Sequence, residues 1–413
     1  MRLFKYITLN IFLSFILTLI LLFLFKSGII KNYIVGGPSK DFFIDLKLNF
    51  IPWLECYKLD LNFKVIQKIN DEACPIFDYG KLFLMTPFNQ NLKLFYLNYL
   101  PYVTILLFVF AVTFLLNPKN KLEYSFVILA ILNPTTLLLI ERLNFDIFIF
   151  LILIIISLNR IYIFNWLLFL YCFLIKLYPI VSGSFIFIEN KKRNSIFLLM
   201  LAIFLGAIFS YFLLIDYFPV NKMFVSGGKA GYWHIFGLST IPKVLKYFGV
   251  NYIFCLVLIY SIFFYTLYRF CKLYEISNLI KNQDFFTSRW RLFLLGGNIL
   301  LFCFVFYTNY THREVFLILL IPQFLYLNVK GNKFSSLIVY FLIFRYLFLF
   351  IYGPANVINS TYHIDGVRYF SGVFLLATFG KGLLDFVLMS LIGSILIKIN
   401  FSILKSFLLK LRF

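Results

Sequence analysis

Apolar runs long enough to cross a bilayer follow one another along this chain with little polar sequence between them. They cover residues 7–25, 99–116, 122–140, 146–159, 161–175, 177–188, 195–215, 251–270, 292–308, 314–329, 334–351 and 370–397, which predicts twelve membrane-spanning helices. Roughly 20 apolar residues cross a hydrocarbon core of about 30 Å. The run at 177–188 is therefore too short to cross alone unless it is distorted or re-entrant. The first run outlasts the apolar stretch of a signal peptide and lacks a small-residue cleavage site, so it is expected to be retained. The pattern predicts an all-α polytopic membrane protein, a single integral membrane domain over residues 1–413, with residues 26–98 forming a long first outer loop.

Composition agrees and removes the alternatives. With 62% hydrophobic and 13% charged residues, no soluble domain of this length hides so much apolar surface. The cations then orient the chain. With both termini in the cytoplasm, the inner side holds 19 Lys and Arg against eight in the short outer loops. The long first loop counts little in such a comparison. The net charge of +21 lies mostly on inner loops, where it attracts anionic membrane lipids. It forms no concentrated basic stripe, so no nucleic-acid partner is expected.

This orientation gathers the polar chemistry outside. Glu141, Arg142, Asn144 and Asp146 stand between two apolar runs. A charge at bilayer depth costs about 2.5–3.5 kcal/mol on insertion scales, so such a cluster is a candidate site. Lys176 and Tyr178 fall on the same side, as do Arg313, Arg368 and the three histidines, His234, His312 and His363. The histidines have no ligand spacing, and no metal site is expected. Arg345 and Lys381 lie inside predicted spans, where pairing between helices, with Asp385 as a partner, weighs as much as a functional role.

In the first outer loop, Gly36-Gly37-Pro38 breaks the chain, Ser39 suits a helix cap, and Asp41 falls in the first turn that follows. The residues after it alternate apolar and polar types, as a helix along the membrane interface would. Cys56 and Cys74 in the same loop are candidates for a disulfide in an oxidising compartment, two unpaired thiols being the alternative. The chain carries no P-loop, no dinucleotide-binding glycine pattern, no HExxH and no GxSxG.

One span, a long outer loop with an early aspartate, and many further spans with polar outer loops together resemble the GT-C superfamily of membrane glycosyltransferases. The closest likeness is to the bacterial polyprenol-phosphate-mannose-dependent alpha-mannosyltransferases. The matching residues are Ser39-Lys40-Asp41-Phe42, Asn133-Pro134, Glu141 to Asp146, Lys176-Leu177-Tyr178-Pro179 and Thr308 to Glu314. Lys40 departs from the usual small or acidic neighbour of the loop aspartate, and Leu143 stands where a glycine is common.

The resemblance implies transfer of a sugar from a polyprenyl-phosphate donor to a glycan or lipid-linked acceptor, on the periplasmic face of a bacterial inner membrane. Asp41 would be the general base, and no cofactor is needed because lipid phosphate is already a good leaving group. Arg142, Lys176, Arg313 and Arg368 are candidates for the phosphate. Glu141, Asn144, Asp146 and the histidines are candidates for the rest of the substrate site, with Tyr178 or Trp233 stacking on a sugar face. A lipid-linked oligosaccharide flippase or transporter and a surface-polysaccharide polymerase are the alternatives.

Overall fold

The computed structural model describes residues 2–29, 43, 45–52, 54, 89–176, 178–183, 205–206, 235–281, 283–306, 309–358, 361–364 and 367–411. Helix α1 spans Arg2–Lys26, and a π-helical turn follows at Asp45–Phe50. Next come α2 (Gln90–Asn98), α3 (Leu100–Leu116), α4 (Lys121–Leu132), α5 (Pro134–Arg142), α6 (Asp146–Leu158) and α7 (Tyr162–Ile175). A 3-10 turn at Tyr178–Ser182 ends this half.

The second half opens with β1 (Ile235–Phe236), α8 (Thr240–Tyr247), α9 (Tyr252–Cys271), α10 (Tyr274–Ile280) and α11 (Ser288–Val305). Strand β2 (Asn309–Tyr310) leads into a long 3-10 helix, Thr311–Leu320, and then α12 (Ile321–Val329) and α13 (Lys333–Ile358). Strands β3 (Thr361–Ile364) and β4 (Val367–Phe370) precede α14 (Gly372–Leu411).

Among the described residues five helices are long and apolar enough to cross a membrane, or seven if each of two bent pairs counts as one span. The chain is thus a helical membrane protein. The expected helices at 7–25, 99–116, 251–270 and 334–351 are present at close to their expected limits. Half of the run at 177–188 and nearly all of that at 195–215 lie outside the described residues. Two differences stand out. The tail expected after residue 397 continues α14 without a break to Leu411. Two small antiparallel ladders, β1 with β2 and β3 with β4, interrupt the otherwise helical fold.

The bends have local causes. Helices α4 and α5 form one apolar run bent by 45°. Between them the Asn133 amide serves both ends. Its Nδ2 donates to the carbonyls of Leu129 and Ala130, each at 2.9 Å, closing α4. Its Oδ1 accepts from the backbone N–H groups of Thr135 at 3.1 Å and Thr136 at 3.0 Å, opening α5. Pro134, which has no N–H, occupies the first helical position where none is required. In lipid every backbone polar group must be satisfied within the protein, so this one amide makes the break affordable.

Helix α11 is the centre of the bundle. Its spanning window is 72% buried, against 17% for α9, which faces lipid. Close approach depends on two adjacent glycines. A Cβ on Gly296 would lie 2.7 Å from Leu319 Cβ, and one on Gly297 would lie 2.9 Å from a Leu396 methyl. Gly296 therefore seats the 3-10 helix Thr311–Leu320, and Gly297 seats α14, as small residues do where membrane helices pack. Val315 to Ile321 are all buried, so this 3-10 segment is core on every side.

Replacing Asn133 with alanine removes a cap worth about 1–2 kcal/mol and leaves two carbonyls without their side-chain donor. The purified Asn133→Ala protein is expected to melt several degrees below wild type in detergent with its helical content unchanged. An unaltered midpoint would show that the amide does not hold the bend.

Candidate functional site

The turn between α5 and α6 builds a polar site at one end of the bundle. Helix α5 ends with the Leu143 N–H on the Ile140 carbonyl at 3.0 Å and the Asn144 N–H on the Leu139 carbonyl at 3.3 Å. This paired closure requires a left-handed residue, and Leu143 adopts φ 50° and ψ 48°. A left-handed non-glycine residue costs roughly 1–2 kcal/mol. Leu143 is itself buried, which offsets part of that cost. The next side chain, Asn144, accepts from the Asp146 N–H at 3.1 Å and starts α6.

Asp146 lies in the first turn of α6, where a carboxylate is favoured by the helix dipole, and its side chain is fully buried. Lys176, the residue that ends α7, makes an ion pair with it. The same ammonium donates to Asn144 Oδ1 at 3.0 Å. The Tyr178 hydroxyl donates to Asp146 Oδ1 at 2.6 Å. Arg313, from the long 3-10 helix, brings its Nε to 3.8 Å from Asp146 Oδ2 and its guanidinium to 4.9 Å from the Tyr178 ring centre. Four separate elements thus meet on one carboxylate. The two cations keep 11% and 23% of their side chains exposed while Asp146 keeps none, so the cluster meets solvent through its cations.

The stretch that follows α1 docks on this turn. The Phe43 N–H donates to the Glu141 carbonyl at 2.6 Å. Phe43 has φ 62°, a second bulky residue in the left-handed region beside the same turn. Such outliers cluster at functional sites, where surrounding contacts hold them in place. The π-helical turn at Asp45–Phe50 then buries Leu46 and Phe50 in the main core, and the Phe50 ring lies 5.9 Å from that of Phe145. The expected interfacial helix is therefore helical but packs its apolar side onto the bundle.

A second charged cluster lies deeper. Glu314, the residue after Arg313, pairs with Arg345 of α13 and with Lys381 of α14, the latter at 2.6 Å. Asp385 of α14 lies 2.7 Å from Arg345 and 2.6 Å from Lys381. All four side chains are 2% exposed or less. The pairing of Arg345 and Lys381 with Asp385 follows the sequence reading. Glu314 is the member that reading missed, because it was grouped with the loop residues before it. At the other end of α6, Arg291 donates to the carbonyls of Ile156 at 2.7 Å and Asn159 at 2.8 Å, capping the helix with a cation.

The expected residues are distributed as follows. Asn144, Asp146, Lys176, Tyr178 and Arg313 come together in one site. Glu141 is buried in the same turn, and Arg142 is half-buried beside it. Asp41, His234, Trp233, Cys56 and Cys74 lie outside the described residues. His312, His363 and Arg368 are described in their backbone alone, His312 in the 3-10 helix and His363 opposite Arg368 across the β3–β4 ladder. Among the described residues no group of three or more His, Cys, Asp or Glu is placed to hold a metal.

No protein-family model matches this chain, and no curated protein or solved structure matches it. What fold and site define together is a helical membrane protein with a cation-rich polar site opening at one end of its bundle. Asp146 is the counter-charge that makes that site possible. Removing one partner of a buried ion pair typically costs about 3–5 kcal/mol. Asp146→Asn is expected to be strongly destabilising, whereas adding Lys176→Met should recover part of the loss. A double-mutant cycle on thermal unfolding should return a coupling of about 1–3 kcal/mol. Strict additivity would mean that the two side chains do not hold each other.

Proposed function

We propose that this chain is a membrane glycosyltransferase that moves a sugar from a polyprenyl-phosphate donor to a glycan or lipid-linked acceptor. The observation that carries the reading is the convergence of Lys176 and Arg313 on Asp146 at a turn where the chain just after Asp41 is docked. Both cations keep part of their side chains exposed, where a phosphate would meet them. A lipid phosphate gains charge as its bond to the sugar breaks, and preorganised donors at such a point are worth about 10²–10³ in rate. The Tyr178 ring is buried beneath Arg313 and supports that cation from below, so the stacking on a sugar face expected of it finds no open surface.

Asp41 is the base in this scheme. It accepts the proton of the acceptor hydroxyl as that oxygen bonds to the anomeric carbon, and the lipid phosphate leaves with the electron pair. The nearest described residue, Phe43, donates its N–H to the carbonyl of Glu141. We place the site on the periplasmic side of a bacterial inner membrane, with both termini in the cytoplasm and twelve spans, on the distribution of Lys and Arg. The sequence resemblance to GT-C enzymes supports the same scheme. The transporter alternative gains no unbalanced charge from Glu314, Arg345, Lys381 and Asp385, since two carboxylates meet two cations.

The test is sugar transfer from synthetic polyprenyl-phosphate donors by the purified protein in lipid. Asp41→Asn is expected to lower the rate by about 10²–10⁴. Lys176→Met is expected to weaken turnover while leaving Asp41 chemistry intact, so that its residual activity keeps the wild-type dependence on acceptor. Full activity in Asp41→Asn would move the base elsewhere and favour a polymerase. Transport of a lipid-linked sugar without transfer would replace the enzyme reading altogether.

A further inference from the structure

Arg313 and Glu314 are neighbours in sequence yet serve two different clusters. In a 3-10 helix successive side chains leave the axis about 120° apart, so adjacent residues can face two sides. Such helices seldom run beyond three or four residues. Here the run is ten residues, Thr311–Leu320, in the middle of the core. Eight steps separate Arg313 from Ile321, where α12 begins. As 3-10 helix they rise about 16 Å; wound as α-helix they would rise about 12 Å. The change would also turn Arg313 by about 160° about the axis, at about 20° per step. In the extended form Arg313 brings its Nε to 3.8 Å from Asp146.

Something has to hold that form against the better hydrogen-bond geometry of an α-helix. Glu314 is gripped by Arg345 and Lys381, which come from two different helices, and both cations are shared with Asp385. Rewinding would pull Glu314 away and leave two buried cations facing one carboxylate. Gly296, pressed against Leu319 and the Phe316 carbonyl, fixes the opposite side of the same segment. We propose that Glu314 is a positioning residue for Arg313: its clamp by Arg345 and Lys381 holds Thr311–Leu320 in the 3-10 form that carries Arg313 to Asp146. The geometric claim stands on the two clusters; its bearing on catalysis rests on reading Arg313 as a cation for the lipid phosphate.

Two charge-balanced double variants separate positioning from simple stabilisation. Glu314→Gln with Lys381→Met removes the clamp but keeps Arg345 with Asp385. Lys381→Met with Asp385→Asn removes as many charges but keeps Glu314 with Arg345. Modification of Arg313 by phenylglyoxal, mapped by mass spectrometry in lipid nanodiscs, reports its release without any enzyme assay. The first variant is expected to raise the Arg313 modification rate about tenfold, and the second, which keeps Glu314 on Arg345 but loses Lys381, to raise it about twofold at most. Equal rates in the two variants, whether both raised or both unchanged, would overturn the proposal. The single variant Glu314→Asp, which keeps the quartet neutral, should retain most of the protection, and loss of protection equal to that of the first variant would also count against it. If Arg313 is released as expected and sugar transfer continues at the full rate, the positioning stands and the role of Arg313 on the phosphate falls.

Discussion

Asp146 is a carboxylate with no exposed surface at the end of an apolar bundle, and the arrangement of its surroundings follows from answering its charge. Inside a low-dielectric interior an ion stays charged only when opposite charge and hydrogen bonds replace the water it has lost. Lys176, Tyr178 and Arg313 do so from three elements distant in sequence, and Asn144 fixes the backbone from which the carboxylate projects. Each answering group then constrains the element that carries it. Helix α7 has to stop at Lys176, and the chain after β2 has to be stretched until Arg313 arrives.

The same rule operates a few ångströms of helix away with a different outcome. Glu314, Arg345, Lys381 and Asp385 balance within themselves and show almost nothing to solvent. Arg345 lies 12 residues into α13 and Asp385 13 residues before Lys398, which sets the quartet about 18–20 Å along each helix from its basic end. A neutral, sealed cluster at such a depth stiffens the junction of three elements. The Asp146 cluster differs in exposure, since Lys176 and Arg313 keep 11% and 23% of their side chains open to solvent.

Much of this was legible in the residues. Apolar run lengths located the helices, and the Glu141–Asp146 segment, Lys176, Tyr178 and Arg313 stood out as polar groups that a membrane tolerates only with partners. Other features were hidden for physical reasons. Glu314 looked like the last residue of a loop because its partners lie 31 and 67 positions further along. Nothing in Val315–Leu320 distinguishes a 3-10 helix from an α-helix, since these six residues are all apolar and buried. The β3–β4 ladder had a signal that went unread: the two residues between the strands are Asp365 and Gly366, a dipeptide favoured in tight hairpins. Leu143 was noted as standing where a glycine is common, and its left-handed backbone gives that observation its physical basis.

The 45° bend at Asn133 also sets a depth. Continued straight, the nine residues of α5 would climb about 13 Å beyond α4; tilted by the bend they climb only about 9 Å. The 21 residues of α4 and α5 would rise about 32 Å if straight and rise about 27 Å with the bend, so against an apolar core of about 30 Å the shortening draws the Leu143 turn back to the edge of the hydrocarbon. For the lipid-linked donor proposed above, such a position would let the polar head reach Lys176 and Arg313 by sliding sideways, with the tail still in the membrane and no lift into water.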